Sequence, residues 1–226
     1  MVRLIILVLC LISSSNLIAE TALPKSLLLS YVAHPAVTQT HIPIIKQVYK
    51  NLGIGVKFFP APTERGFLQM NSAVTDGDVI RPLARIVQYE NLIKVGPVLD
   101  NVRFVIFCRA EKACTPEILN NPTITILTSV EFKAFEFSAN WKANVYVISK
   151  LENFSDLFKS KKFDYFTYAL SQRENYQHNF ENVNYMVLTD MPAHHVLNKK
   201  YSFMQERVNE AIKEVLLQKF SPRKEQ

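Results

Sequence analysis

Hydrophobic and polar positions along the chain form short apolar runs separated by stretches with helical spacing. Residues 26–32, SLLLSYV, are a largely apolar run of the kind buried in a central parallel strand. Over residues 39–52 the apolar positions instead fall on one helical face, and they are Ile44, Ile45, Val48, Tyr49 and Leu52. Residues 54–59 are again strand-like. This order of strand, helix and strand predicts an α/β fold with doubly wound sheets and right-handed crossovers.

The stretch from residue 60 to residue 109 continues this pattern and brings an arginine to a strand end. Thr63 is predicted to cap a short helix, and Asp76 with Gly77 marks a tight turn. The next residues form a short buried strand, which Arg81 follows directly. Ligands of open α/β sheets bind beyond the carboxyl ends of the strands, so Arg81 is a candidate ligand contact.

A second α/β unit is predicted after the strand at residues 102–108. Its strands are expected at residues 123–127, 144–148 and 163–168, and its helices at residues 129–140 and 154–160, before residues 182–191 lead back. The chain ends with an amphipathic helix over residues 203–219, whose apolar face includes Val208, Ile212 and Val215. Because the second unit is complete without this helix, we expect the helix to pack on the N-terminal half.

The middle stretch resembles a known family in the order of its residues. The matching positions are Pro62, Arg65, Asn71, Ser72, Asp76, Gly77, Asp78, Arg81, Tyr89, Asn91, Leu92, Ile93, Val95, Pro97, Val98 and Leu99. They resemble the bacterial solute-binding proteins of family 3, which have the type II periplasmic binding fold. The resemblance implies two lobes, each a doubly wound mixed sheet flanked by helices, with strand crossovers as the hinge. Lobe 1 would comprise residues 20–103 plus 190–226, and lobe 2 residues 104–189.

The resemblance also implies a function. A monomeric protein without catalytic activity or cofactor would capture a small polar solute between its lobes, with an amino acid or another small carboxylate as the expected ligand. It would deliver this solute to an inner-membrane ABC transporter, as in amino acid transport. The alternative is a periplasmic sensor or adaptor that docks on a membrane partner such as a sensor kinase.

Candidate ligand contacts follow from a cleft at the strand ends. They are Tyr31, Arg65, Arg81, Arg85, Thr128, Ser129, Thr167 and Tyr168, with His34 beside the first strand. Arg81 is the preferred anchor because a guanidinium gives a carboxylate two parallel hydrogen bonds. Amino-acid-binding members of the family usually carry an aspartate just beyond the last strand of lobe 2, but residues 168–172 here read YALSQ. The missing aspartate argues against an ordinary α-amino acid as the ligand and leaves a small carboxylate, a peptide fragment or another polar solute open.

The N-terminal residues have the features of a secretory signal peptide. Arg3 precedes an apolar run over residues 4–12, and small and polar residues follow. We expect export to the periplasm with cleavage after Ala19, with cleavage after Ser15 as the alternative. The net charge of the chain is +6, and its basic residues are scattered, so no nucleic-acid partner is expected.

Cysteine and histidine positions suggest other chemistry that we consider in turn. Cys108 and Cys114 can close a small disulfide loop worth about 2 kcal/mol, or they can remain two thiols. A catalytic cysteine is disfavoured because no nucleophile signature surrounds either residue. His194 and His195 are adjacent, so a strand would point them to opposite faces, which disfavours a metal site.

Overall fold

The computed structural model describes residues 22–135, 137–149, 154–173 and 180–220 of the chain. The predicted signal peptide, residues 1–19, lies outside the described residues. None of the helices within the described ranges has the length and apolar character needed to cross a membrane.

The elements alternate between strands and helices, as the hydrophobic pattern predicts. The strands are β1 (Ser26–Tyr31), β2 (Gly55–Pro60), β3 (Gly77–Pro82), β4 (Leu92–Arg109), β5 (Thr125–Ser129), β6 (Asn144–Ile148), β7 (Tyr165–Ser171) and β8 (Val183–Asn198). The helices are α1 (Ile42–Asn51), α2 (Thr63–Asn71), α3 (Leu83–Ile86), α4 (Val130–Lys133), α5 (Phe154–Lys159) and α6 (Gln205–Phe220). A π-helical turn, Val37–His41, precedes α1, and 3₁₀ turns occupy Pro116–Asn120, Phe137–Asn140 and Lys199–Met204.

The eight strands of the described residues form one mixed sheet in the order β2-β1-β3-β8-β4-β7-β5-β6. Strand β1 is parallel to β2 and β3, and β5 is parallel to β6 and β7, so each end of the sheet is a parallel unit. The central pair, β4 and β8, is antiparallel and runs through both units. We refer to the β1–β3 end with α1, α2 and α6 as the first half, and to the β5–β7 end with α4 and α5 as the second half.

Strands β4 and β8 connect the two halves and change register where they cross. Their pairing shifts between Val95 and Asp100 on β4, opposite His195 and Ala193 on β8. Gly96 lies within this irregularity at a φ of +78°, and a Cβ there would stand 2.7 Å from Cδ1 of Ile212 on α6. The strand predicted at residues 102–108 is shorter than β4, which begins at Leu92. Gly96 and Pro97 interrupt the apolar pattern there, so the earlier part of the strand was not predicted.

The larger hydrophobic core belongs to the first half. Ile44, Ile45 and Val48 of α1 share one buried cluster with Val208 and other residues of α6. The prediction that the C-terminal helix packs on the N-terminal half is confirmed. In the second half, two smaller clusters are centred on residues of β4.

The helix predicted over residues 129–140 is wrong in length. Only Val130–Lys133 is α-helical, and a separate 3₁₀ turn covers Phe137–Asn140. The rings of Phe132, Phe135 and Phe137 all pack against Phe104, at centroid distances of 5.5, 4.7 and 5.1 Å. A continuous helix would turn Phe137 about 140° away from Phe132, so the aromatic contacts require the break.

Cys108 and Cys114 are joined in the structure. Their sulfur atoms are bonded, and their Cα atoms lie 5.6 Å apart, within the usual range for a disulfide. Cys108 is buried at the end of β4, whereas Cys114 lies in the loop that follows it. The bond therefore ties this loop to the central strand.

Candidate functional site

A cavity of about 120 Å³ lies where strands of the two halves end. From the first half, His34 beyond β1 and Arg81 near the end of β3 line it. From the second half, Ser129 at the end of β5 and Thr167 in β7 line it. We call it the cleft cavity, and its place at the carboxyl ends of parallel strands is where the fold binds ligands.

The wall from the first half is built around the Arg81 guanidinium, which is 2% exposed. Its Nη2 donates a hydrogen bond of 2.7 Å to Oδ2 of Asp78, and the Ser30 hydroxyl donates to the same oxygen at 2.7 Å. Oδ1 of Asp78 accepts from the backbone amide of Ile80. Burial raises the pKa of Asp78, and Arg81, Ser30 and the Ile80 amide act in the opposite direction. Nε of Arg81 is buried and has no hydrogen-bond partner among the described residues.

Space for the guanidinium comes from helix α2. A Cβ at Gly66 would lie 2.4 Å from Nη2 of Arg81, so only a residue without a side chain leaves room for the observed position. On the same helix, the ring of Phe67 lies 5.0 Å from Cζ of Arg81 and provides a cation–π contact. The local sequence of α2 therefore fixes where Arg81 stands.

A buried histidine supports this wall from behind. Nδ1 of His195 lies 2.7 Å from the carbonyl oxygen of Asp78, and Nε2 lies 2.7 Å from the Tyr49 hydroxyl. A carbonyl only accepts, so Nδ1 carries the proton and Nε2 accepts from Tyr49. Burial lowers the pKa of His195 to about 4, so the ring is neutral at pH 7. Both nitrogens are used, and no cluster of metal-ligating side chains occurs in the described ranges.

Asp100 of β4 connects elements from both halves at the edge of the cleft cavity. Nε2 of His41 lies 3.2 Å from its Oδ2, and the Ser171 hydroxyl donates to that oxygen at 2.5 Å. The backbone amide of Gln172 donates to Oδ1 at 3.1 Å. Serine and histidine here both contact the aspartate rather than one another, so this arrangement does not provide a nucleophile with its base. It ties the turn before α1 to the end of β7.

The wall from the second half combines hydroxyl groups with aromatic rings. Ser129 accepts a hydrogen bond of 3.1 Å from the backbone amide of Phe132 and so caps α4. Thr128 and Thr167 share a buried hydrogen bond of 2.7 Å across β5 and β7. Glu131 also lines the cavity from this wall.

His34 brings the two walls together. Its ring lies 5.1 Å from that of Tyr168 in β7, and its Nδ1 accepts from the backbone amide of Ala36 at 3.2 Å. Burial, with a smaller effect from the neighbouring His41, lowers the pKa of His34 to about 4. A neutral ring can pack against tyrosine without desolvating a charge, which suits a contact between two halves.

The structure brings together half of the residues predicted to contact ligand. Arg81, Ser129, Thr167 and Tyr168 line the cleft cavity, as does His34. The other four, which are Tyr31, Arg65, Arg85 and Thr128, are not among its lining residues.

Each of the four has a local reason for its position. Tyr31 packs at the border of the large hydrophobic cluster. Arg65 is exposed on α2, and Arg85 of α3 forms an ion pair with Glu64. The Thr128 side chain is held by Thr167, with only the latter reaching the cavity.

Sequence reasoning missed several lining residues, among them His41, Asp100, Phe104, Glu131, Phe132 and Phe135. Phe132 and Phe135 could have been predicted as part of an aromatic cluster, because phenylalanine occurs three times in residues 132–137. Glu131 follows Ser129 in the first turn of a predicted helix, where acidic residues are common for other reasons. Asp100 had no signal, since its role depends on the crossing of β4 and β8.

No protein-family model and no curated relative matches the sequence. Solved structures with a similar overall fold are known. The GluR0 ligand-binding core from Nostoc punctiforme in complex with L-glutamate has a TM-score of 0.69 at 14% identity, covering 87% of this chain and 100% of that chain. The arginine-bound form of truncated ArgBP from T. maritima has a TM-score of 0.68 at 15% identity, covering 84% and 96%.

A third structure, the substrate binding protein of an amino acid ABC transporter, has a TM-score of 0.67 at 11% identity, covering 87% of this chain and 100% of that chain. All three likenesses extend over both halves of the sheet and over nearly the full length of the compared chains. The chain therefore has the type II periplasmic binding fold of the family 3 solute-binding proteins, as the sequence predicts.

Proposed function

We propose that this protein is a periplasmic solute-binding protein that holds a small carboxylate-bearing solute in the cleft cavity and delivers it to an inner-membrane transporter. The observation that carries the proposal is the Arg81 guanidinium, buried in a cavity shared by both halves, with its Nε lacking a hydrogen-bond partner among the described residues. Solved structures of the same fold include glutamate-bound and arginine-bound proteins, which supports a small-molecule ligand.

Asp78 prepares Arg81 for this role. Because one guanidinium nitrogen is bonded to Asp78, the side chain is held in place before any ligand arrives. The unpartnered Nε then supplies a charge-assisted hydrogen bond to the ligand. Because the side chain is already ordered, little conformational entropy is lost when the ligand binds. A carboxylate is the group best matched to the planar edge of a guanidinium.

Capture between two lobes explains how binding can be signalled to a transporter. We propose that lobe 1, residues 20–103 plus 190–226, and lobe 2, residues 104–189, move about the crossing of β4 and β8. A ligand favours the closed state only through the contacts it adds there. Asp100 with His41 and Ser171 lies at this crossing and would hold the two lobes together in the closed form.

The test begins with a thermal-shift screen of the purified protein against amino acids, small carboxylates, sugars and peptides. A ligand present at 100 times its dissociation constant stabilises the folded state by about 2.7 kcal/mol. Calorimetry then measures the affinity of each ligand found for the wild type and for Arg81→Lys. We choose lysine because it keeps a positive charge beside Asp78. Alanine would leave the Asp78 carboxylate buried without its partner, and the variant could then lose stability as well as affinity.

We expect Arg81→Lys to lower the affinity for a carboxylate ligand at least about tenfold. The lysine side chain is shorter, and its single nitrogen, once paired with Asp78, lacks the second planar edge that a guanidinium offers to a carboxylate. Arg85→Lys is the matched control, since Arg85 pairs with Glu64 outside the cavity. Its affinity should stay within about twofold of wild type. Equal affinities for Arg81→Lys and wild type would contradict the role of Arg81.

A further inference from the structure

Glu131 lines the cleft cavity and forms no ion pair with any of the described residues. It lies in the first turn of α4, and its Oε2 is buried without a hydrogen-bond partner in the described part of the chain. A buried polar atom of this kind costs free energy that folding normally avoids. Because Glu131 also lines the cavity, this unpartnered oxygen points to a ligand group that is able to donate a hydrogen bond.

Two other ionisable residues that line the cavity, Arg81 and Asp100, each have a side-chain partner. Asp78 accepts from Arg81 at 2.7 Å, and Asp100 lies 3.2 Å from His41. Among the described residues, no ion pair includes Glu131. Burial raises the pKa of Glu131, while its own backbone amide, the Ser129 hydroxyl and the more distant charge of Arg81 oppose this effect. The cavity therefore carries a carboxyl group that a positive ligand group would stabilise in its charged form.

The surroundings of Glu131 are aromatic and aliphatic. Phe104, Phe132 and Phe135 line the same cavity, with ring centroids 5.5 Å apart for Phe104 and Phe132 and 4.7 Å apart for Phe104 and Phe135. Val102 and Leu170 also line it. Aromatic faces accept apolar groups by burial, and they also attract a nearby cation. A strongly polar ligand side chain would find few partners on this wall.

We propose that Glu131 accepts the ammonium group of the ligand, whose carboxylate meets Arg81 and whose apolar side chain packs on Phe104, Phe132 and Phe135. The ligand class is then a small amino acid with an apolar side chain. This inference rests on the proposed function, because it assigns the ligand of the same cavity. The absence of an aspartate from residues 168–172 argued against an amino acid as the ligand. Glu131 on α4 would supply the missing acidic group.

The experiment compares amino acids with the same molecules lacking the amino group. L-phenylalanine and L-leucine are titrated calorimetrically beside 3-phenylpropanoate and 4-methylpentanoate, which keep the carboxylate and the apolar body. Wild type and Glu131→Gln are measured, with Glu117→Gln as the matched control because Glu117 is an exposed acid of the same half outside the cavity. Glutamine preserves the size of the side chain and removes its charge.

We expect wild type to bind at least one of the two amino acids at least about tenfold more tightly than its deaminated counterpart, since hydrogen bonds between charged groups are the stronger ones in a buried site. Glu131→Gln should abolish this preference, and Glu117→Gln should retain it. Equal binding of both members of each pair by wild type, or a preference that survives Glu131→Gln, would overturn the inference.

Failure of the inference is distinguishable from failure of the proposed function. If a polar or amine-free carboxylate binds in the cleft cavity and neither amino acid binds, Glu131 has no such role but the solute-binding function stands. If no solute in the screen binds to wild type, both proposals fail.

Discussion

The two walls of the cleft cavity differ in how they satisfy buried polar groups. In the first half, Arg81 and Asp78 form an ion pair, and His195 and Tyr49 continue the hydrogen bonds behind it. In the second half, Thr128 and Thr167 share a hydrogen bond between hydroxyl groups, and Glu131 has one carboxylate oxygen without a partner among the described residues. Each wall thus has a buried polar atom that a ligand can pair with, Nε of Arg81 in the first and Oε2 of Glu131 in the second. The difference is that Arg81 is also held in an ion pair, whereas Glu131 is in none among the described residues.

Packing shows the same difference between the halves. The first half buries the apolar faces of the long helices α1 and α6 in one large cluster. In the second half, α4 and α5 span four and six residues, too short to cover a sheet face alone. Phenylalanine rings and the bond between Cys108 and Cys114 take over part of that role. The first half is therefore covered by two long helices, whereas the second half relies on shorter helices and aromatic rings.

The largest effect should follow from removing the charge of Asp78. Asp78→Asn leaves the Arg81 guanidinium buried without its counter-charge, and breaking a buried pair in this way costs about 3 to 5 kcal/mol. Equilibrium unfolding in urea measures the free energy of unfolding of wild type and variant. We expect a lower midpoint with an unchanged slope.

Asp190→Asn is the control for Asp78→Asn. Asp190 also pairs with an arginine, Arg103, through hydrogen bonds of 2.9 and 3.0 Å, but both side chains are well exposed. An exposed pair contributes about 1 kcal/mol or less. Similar losses for the two variants would show that burial of the Arg81 pair has no special weight in the first wall.

A smaller effect is expected from opening the disulfide of the second half. Cys108→Ser with Cys114→Ser should lower the free energy of unfolding by about 2 kcal/mol, because the loop closed by six residues is short. Non-reducing mass spectrometry of protein from an oxidising compartment should show wild type two hydrogens lighter than the reduced chain. Two alkylated thiols in that sample would contradict the bond and leave the second half without its covalent tie.

The sequence predicted the order of elements well because apolar runs and helical spacing are local signals. The helix of residues 39–52 and the C-terminal helix both bury the faces expected from residues such as Val48 and Val208. Arg81 was also predicted, since its position at the end of a strand can be read locally. The break after α4 could not be predicted, because it depends on Phe104, which is distant in sequence and packs against Phe137.

The cavity residues that were not predicted from the sequence also depend on contacts between distant parts of the chain. Asp100 contacts Ser171 across 71 positions of the chain, through strands that cross at a register shift. Glu131 becomes notable only because it is buried and unpartnered, which a sequence pattern does not report. Conversely, Arg65 and Arg85 matched the expected residue type but are not among the lining residues of the cavity.

The smallest effect on stability, but a measurable one on binding, is expected from Gly66→Ala in α2. The new Cβ would lie 2.4 Å from Nη2 and 3.4 Å from Cζ of Arg81, so the guanidinium must shift. Alanine favours the helix by up to about 1 kcal/mol, which offsets part of the crowding. We therefore expect the free energy of unfolding to change by less than about 1 kcal/mol.

Binding should respond more strongly than stability, because Nη2 is the atom that Asp78 holds. A displaced guanidinium presents its remaining donors in the wrong place, and a loss of about tenfold in affinity corresponds to about 1.4 kcal/mol. Leu68→Ala is the control, since Leu68 is 61% exposed on the same helix and should leave the affinity unchanged. If Gly66→Ala also binds as wild type does, the position of the Arg81 guanidinium does not determine the affinity for the ligand. The contrast between the two walls would then rest on Glu131 alone.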